Sequence, residues 1–301
     1  MFLSALPVFA SSLGTAARSV IPNEVQQIIN VDYRRMKASD TAMALKARLL
    51  PANLKQFEDA LKEIGVVPDR DLEQITIAAF RTKDRGIEMI SVAQGAFPRK
   101  KINLKLVRQK IKGKKINSAI VYPMAGGMSM TFLDDWTMLF GPESAVHAAL
   151  EARDNSAQSL NANADVVDMI ASVEQGTIWS VLDADGTHTM LKSILGTASS
   201  LAEYDATKKH LKGSRYTMDF SSGVDFNLSV ITSDSMTAAT LSSLLKAGMM
   251  FKKMDATGPE KLALEGTSVD SDAGKLLVHF KADDKSFQNL LDSPMFAAVT
   301  H

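Results

Sequence analysis

The pentapeptide Asp183-Ala184-Asp185-Gly186-Thr187 directly follows an apolar run, Thr177 to Leu182, that reads as a strand. A carboxylate at a strand end, beside a bound magnesium ion, suits phosphoryl transfer. The same residues have a plainer use, because Asp and Gly after a strand form a turn and cap the next helix. Asp134-Asp135 and Asp283-Asp284 are further carboxylate pairs, each at an expected turn or helix start, where aspartate is electrostatically favoured. His147, His188, His210, His279 and His301 show no ligand spacing such as HExxH, so no metal site is expected. With no cysteine, thiolate catalysis, disulfides and cysteine-ligated metals are excluded together. There is no GxSxG elbow, Walker A loop or GxGxxG turn, and no cofactor is expected.

A second constellation is electrostatic. Nine basic residues and no acidic one lie between Arg99 and Lys115: Arg99, Lys100, Lys101, Lys105, Arg108, Lys110, Lys112, Lys114 and Lys115. On a helix several of these share a face, giving an anion-attracting patch that could meet lipid headgroups or an acidic polymer. The competing reading is a solvated helix face that keeps the protein soluble. No aromatic residue interleaves with the charges, which argues against nucleic acid as a partner, since stacking supplies much of single-strand binding. Arg99, Lys100, Lys101, Lys105 and Arg108 are the candidate binding residues.

The Asp183 pentapeptide resembles the first motif of the haloacid-dehalogenase phosphatases. That resemblance implies Asp183 as nucleophile and Asp185 as general acid, Thr232 on phosphate, Lys246 or Lys252 neutralising it, and Asp283 with Asp284 holding magnesium. The family needs a parallel, doubly wound sheet, whereas consecutive strands here are joined by hairpins too short for a crossover. Capping is therefore the preferred role of Asp183, with a magnesium-dependent phosphatase kept as an alternative.

The elements that must position these residues follow from periodicity. Val25 to Asp32 reads as a strand, Ser39 caps a helix running to Leu50, and Pro51 opens another ending near Gly65. Gln74 to Phe80 and Ile87 to Gln94 form a hairpin, and Ile102 to Ile111 a short helix. Ile116 to Tyr122, Met128 to Leu133 and Thr137 to Phe140 are strands, followed by a helix from Pro142 to Arg153. The polar stretch 153–163 is the linker candidate. Beyond it come a helix from Ala164 to Val173, a strand from Thr177, a helix from Thr187 to Leu201, and a hairpin of Arg215 to Phe220 with Val224 to Ile231. A helix spans Ser235 to Phe251, Leu262 to Val269 pairs with Lys275 to Phe280, and a last helix covers Asp284 to Leu291.

Both halves thus read β-α-β-β-α-β-β-α, which predicts an α+β protein of two topologically similar halves, 20–155 and 164–301. Each is a mainly antiparallel or mixed sheet covered by helices, as in split βαβ arrangements, and internal duplication is the expected origin. Met218, Phe220 and Phe226 alternating with Asp219, Ser221 and Asp225 predict one packed and one wet face.

At 301 residues the chain sits near the length where one core splits in two. Lysine plus arginine and aspartate plus glutamate both total 34, so any anionic partner must be met by a local patch. Residues 1–19 read as a signal-peptide remnant or tail: Phe2 to Ala10 is apolar, and Val8 and Ala10 occupy the small-residue positions before a cleavage site, though no basic segment precedes them. At that length the run is too short to span a membrane. Sixteen methionines, among them Met128, Met130, Met138, Met249, Met250 and Met254, suit an adaptable core or a groove for a lipid.

The stretches VIPNEVQQIINVDY, MTFLDDWTMLFGP, WSVLDADGT and GSRYTMDFSSGVDFNLSV resemble those of an uncharacterised exported protein family found in acidobacterial genomes. The resemblance runs through most of the chain after Val20 and implies a periplasmic or otherwise exported location, with no assigned activity; a cytoplasmic location is the alternative. The expected function is a noncatalytic envelope protein that binds a partner or ligand, with a carrier of a hydrophobic ligand and the phosphatase as alternatives.

Overall fold

A computed structural model describes residues 12–49, 52–195 and 202–293. Strand β1 (Val25–Asp32) is flanked on both sides, by β2 (Leu72–Thr82) and by β8 (Ile178–Asp183), and both pairings are antiparallel. The first half adds β3 (Gly86–Gly95), β4 (Lys114–Ile116), β5 (Ala119–Pro123), β6 (Met128–Phe132) and β7 (Thr137–Pro142). The second adds β9 (Leu211–Asp219), β10 (Val224–Thr232), β11 (Thr267–Asp272) and β12 (Lys275–Ala282). All join one twelve-stranded sheet in the order β11-β12-β10-β9-β8-β1-β2-β3-β7-β6-β5-β4. The order outward from the seam, 1-2-3-7-6 on one side and 8-9-10-12-11 on the other, makes the halves topologically alike. They are not separate sheets, because β1 and β8 pair across the boundary between them.

Helices cover the sheet unevenly, and three short ones, α2 (Tyr33–Lys37), α5 (Pro68–Asp71) and α10 (Ala202–Thr207), lie in the connections. One face carries Ile28, Ala78, Val92, Trp179 and Val181 beneath α1 (Thr15–Val20), α7 (Glu143–Asp154) and α8 (Ala164–Ala171). On the opposite face, α4 (Ala52–Glu63) and α6 (Arg99–Arg108) bring Leu61, Ile102 and Leu106 onto Ile75, Ala93, Met138 and Phe140. Farther along that face, α9 (Ala184–Leu195) and α11 (Ser235–Asp255) cover Leu228, Val230 and Leu276. There too α3 (Asp40–Leu49) meets α13 (Asp284–Leu291), packing Ala42 and Leu45 with Phe287 and Leu290. The pattern of polar and apolar residues in β9 and β10 therefore has the predicted meaning: Met218 and Phe226 face helices, while Asp225 and Asn227 lie on the face that no described helix covers.

Caps and turns fix these elements. Asp234 accepts the Thr237 N–H at 2.8 Å and starts α11, and Asp283 does the same for α13 through Ser286. Gly223, at φ +88°, closes the β9–β10 turn, where a Cβ would sit 2.1 Å from the Ala282 carbonyl oxygen. Ala273 and Gly274 both have positive φ, which a two-residue hairpin between β11 and β12 requires.

Several expectations need correction. Ile116 to Tyr122 is not one strand but the β4–β5 hairpin, turned at Asn117 with φ 52°. Leu262 to Leu264 belong to a helix, α12 (Gly258–Glu265), whose start is a Thr257–Glu260 capping box that encloses Pro259, so the strand begins only at Thr267. The stretch 153–163 is not a loose linker: Ser159 and Leu160 are buried, and the Leu160 N–H donates to the Ile21 carbonyl at 2.7 Å. In the N-terminal tail, Leu13 and Ala17 are buried in the core. Val8 and Ala10 lie outside the described residues, as do Leu50, Pro51 and positions 196–201.

Candidate functional site

Asp183 ends β8 as the N-cap of α9, its Oδ1 accepting the Gly186 N–H at 2.8 Å. Gly186 is needed because α9 begins tight against β1; a Cβ there would lie 2.7 Å from the Gln26 carbonyl oxygen. The other Asp183 oxygen meets the Arg81 guanidinium at 2.6 Å, and the same guanidinium holds the exposed Asp185 at 2.9 Å. Both carboxylates and the glycine of the motif thus have structural employment.

The remaining phosphatase residues do not gather around them. Thr232 is buried, its hydroxyl taken up by the carbonyls of Asp234 and Gly274. Asp183 stands in register with Gly213, then Ile231, then Lys275, whereas Asp283 follows Ala282 at the far end of β12. From Lys275 to Ala282 is roughly 24 Å of strand. There Asp283 caps α13 and Asp284 accepts from Thr41, while Lys246 pairs with Asp270 at 3.7 Å. All the strand pairings are antiparallel, so the parallel sheet that such catalysis needs is missing from the described residues. Among them, too, no group of three or more His, Asp or Glu is placed to hold a metal ion.

The fold also assembles a trio that sequence spacing did not reveal. His210 Nδ1 lies 2.8 Å from Ser233 Oγ and 3.2 Å from Asp234 Oδ2. Both partners approach the same ring nitrogen, whereas a proton relay needs serine and carboxylate on opposite nitrogens. Asp234 is moreover occupied as the cap of α11.

The basic segment is placed differently from the carboxylates. Ile102 and Leu106 anchor α6 in the core. At about 100° per residue, Lys100, Lys101, Leu104, Val107 and Arg108 then share its outer face. Arg99 turns inward along the sheet end, stacking 5.0 Å from the Phe132 ring and pairing with Asp135. Lys114 pairs with Glu143 at 2.9 Å. Lys100, Lys101, Lys105, Arg108, Lys110, Lys112 and Lys115 make no ion pair among the described residues. Leu104 and Val107 are 60% and 74% exposed between these cations, and Trp136, next to Arg99's partner Asp135, is 60% exposed.

No family model matches the sequence, and no curated protein does. The crystal form I structure of TP0453 is similar in fold. The TM-score is 0.51 over 91% of this chain and 95% of that one, with 9% identity. That likeness covers most of both chains and speaks to architecture alone.

Among the described residues, the methionines do not gather into one groove. Met130 and Met138 are buried near α6, whereas Met250 and Met254 are exposed on α11. No helix among the described residues is long and apolar enough to cross a membrane.

Proposed function

We propose that this is a noncatalytic envelope protein that docks on an anionic lipid surface through α6 and the turn after it. The observation that carries this reading is the mixture on one face: unpaired Lys100, Lys101 and Arg108 alternate with exposed Leu104 and Val107, beside exposed Trp136. A face that served only solubility would have no use for the two aliphatic side chains. Cations near an anionic leaflet contribute about 1 kcal/mol each, and aliphatic and indole groups settle at headgroup depth. An acidic polymer would engage the charges but leave the apolar residues in water. The envelope location rests on the resemblance to exported proteins.

Cosedimentation with vesicles containing phosphatidylserine tests the proposal. Binding is expected at low salt and falls as sodium chloride rises, because the Debye length shortens. Lys100→Gln/Lys101→Gln/Arg108→Gln abolishes it. Equal binding to neutral phosphatidylcholine vesicles, or retention by the triple variant, would refute it.

A further inference from the structure

The sheet face of the second half that no described helix covers holds a second candidate site, independent of α6. β9, β10, β12 and β11 stand side by side, with Arg215 in register with Ser229, Ser229 with Leu277, and Leu277 with Asp270. The adjacent row runs Thr217, Asn227, His279 and Ser268. Together with Ser172 and Val173 just beyond α8, these rows line a cleft of about 390 Å³.

Among the described residues, the charges of the cleft are matched except one. His279 Nε2 lies 3.2 Å from Asp225, and Asp270 meets Lys246 at 3.7 Å. Arg215 is half-buried on the cleft floor and, among the described residues, makes neither an ion pair nor a side-chain hydrogen bond. Its cross-strand neighbour Ser229 presents a buried hydroxyl oxygen with no hydrogen-bond partner. Within the described residues the Arg215 guanidinium thus has no protein partner, and the buried Ser229 hydroxyl beside it has none to offset its desolvation.

We infer that this cleft binds a small ligand through an oxyanion group, carboxylate or phosphate, held by Arg215 and Ser229 with Thr217 and Asn227 alongside. The planar fork of arginine fits either oxyanion with two parallel N–H donors. The cleft carries a single unmatched positive charge, so a singly charged group is accommodated without a counterion. The amide of Asn227 already donates to Asp225 at 2.8 Å, leaving its carbonyl oxygen to accept from a ligand hydroxyl or amide.

The full chain, labelled with ¹⁵N, is titrated separately with inorganic phosphate and with acetate at constant ionic strength. Saturable shifts of the Arg215, Thr217, Asn227 and Ser229 amides are expected with at least one anion. Preference for phosphate assigns a phosphorylated ligand, and preference for acetate a carboxylate. Arg215→Gln should weaken the binding about tenfold or more, as loss of a charge-assisted contact requires. Ser229→Ala removes a hydroxyl on which no internal contact depends and should weaken it about threefold. Shifts that never saturate, that fall only on residues 99–115, or that persist unchanged in both variants overturn the inference. Loss of vesicle binding by α6 variants would leave these shifts intact, so the two sites fail separately.

Discussion

Arg81 and Asp183 are joined by a 2.6 Å ion pair between the end of β2 and the end of β8, two strands that sit on opposite sides of β1. One guanidinium thereby clamps the seam between the halves and orients the cap of α9. A motif that reads as catalytic from residue types is, in the fold, a device for holding two halves in one sheet.

That clamp makes a stability prediction. Asp183→Asn and Arg81→Met should each lower unfolding free energy by up to about 1 kcal/mol, from loss of a partly exposed pair, since asparagine keeps the cap of α9. The double variant should lose less than the sum, because both changes break the same contact. Urea titration of the three variants measures this, and strict additivity would dissociate the two residues.

Gly223→Ala should destabilise by more than about 1 kcal/mol, since positive φ disfavours any side chain and the new Cβ collides with backbone. Gly248→Ala serves as the control, because nothing lies within 4 Å of its Cβ position and helix propensity favours alanine. Thermal melts of the pair should move in opposite directions.

Acid should weaken the fold through three carboxyls held below the ordinary aspartate range. For Asp71, burial pushes the carboxyl up, but hydrogen bonds from the Arg70 guanidinium and the Val67 N–H outweigh it. Asp234 is lowered by the Thr237 N–H and the Ser233 and Thr237 hydroxyls, and Asp283 by the Ser286 N–H. A depressed folded pKa contributes stability above the unfolded value, near 3.9, and loses it as pH falls through the folded value. Urea midpoints should therefore be level from pH 7 to 5 and fall below about pH 4. A midpoint unchanged at pH 3 would show that these bonds add nothing.

Much of this architecture was legible in the sequence because local signals agreed with tertiary packing. Strand β1 and helix α13 begin and end where β-branched composition and the Asp283 cap place them. The misreadings have local causes. Leu262, Ala263 and Leu264 look like the start of a strand only if the Thr257–Glu260 capping box is overlooked. Asn117, able to take positive φ, hid a turn inside an apolar run. The candidate surfaces were less accessible, because periodicity does not say which strand faces which. The β6–β7 turn that carries Trp136 is tied to α6 only by the Arg99–Asp135 pair, and Arg215 meets Ser229 only through the β9–β10 register. Neither relationship is written within a single segment.

Tryptophan emission offers the most direct test of docking, because Trp179 is fully buried, whereas Trp136 is exposed next to Asp135, the partner of Arg99 at the start of α6. In a titration with phosphatidylserine vesicles, the account predicts a blue shift and quenching by lipids brominated near the headgroup, both absent from Trp136→Phe. An emission spectrum that stays unchanged at low salt while vesicles are in excess would contradict it.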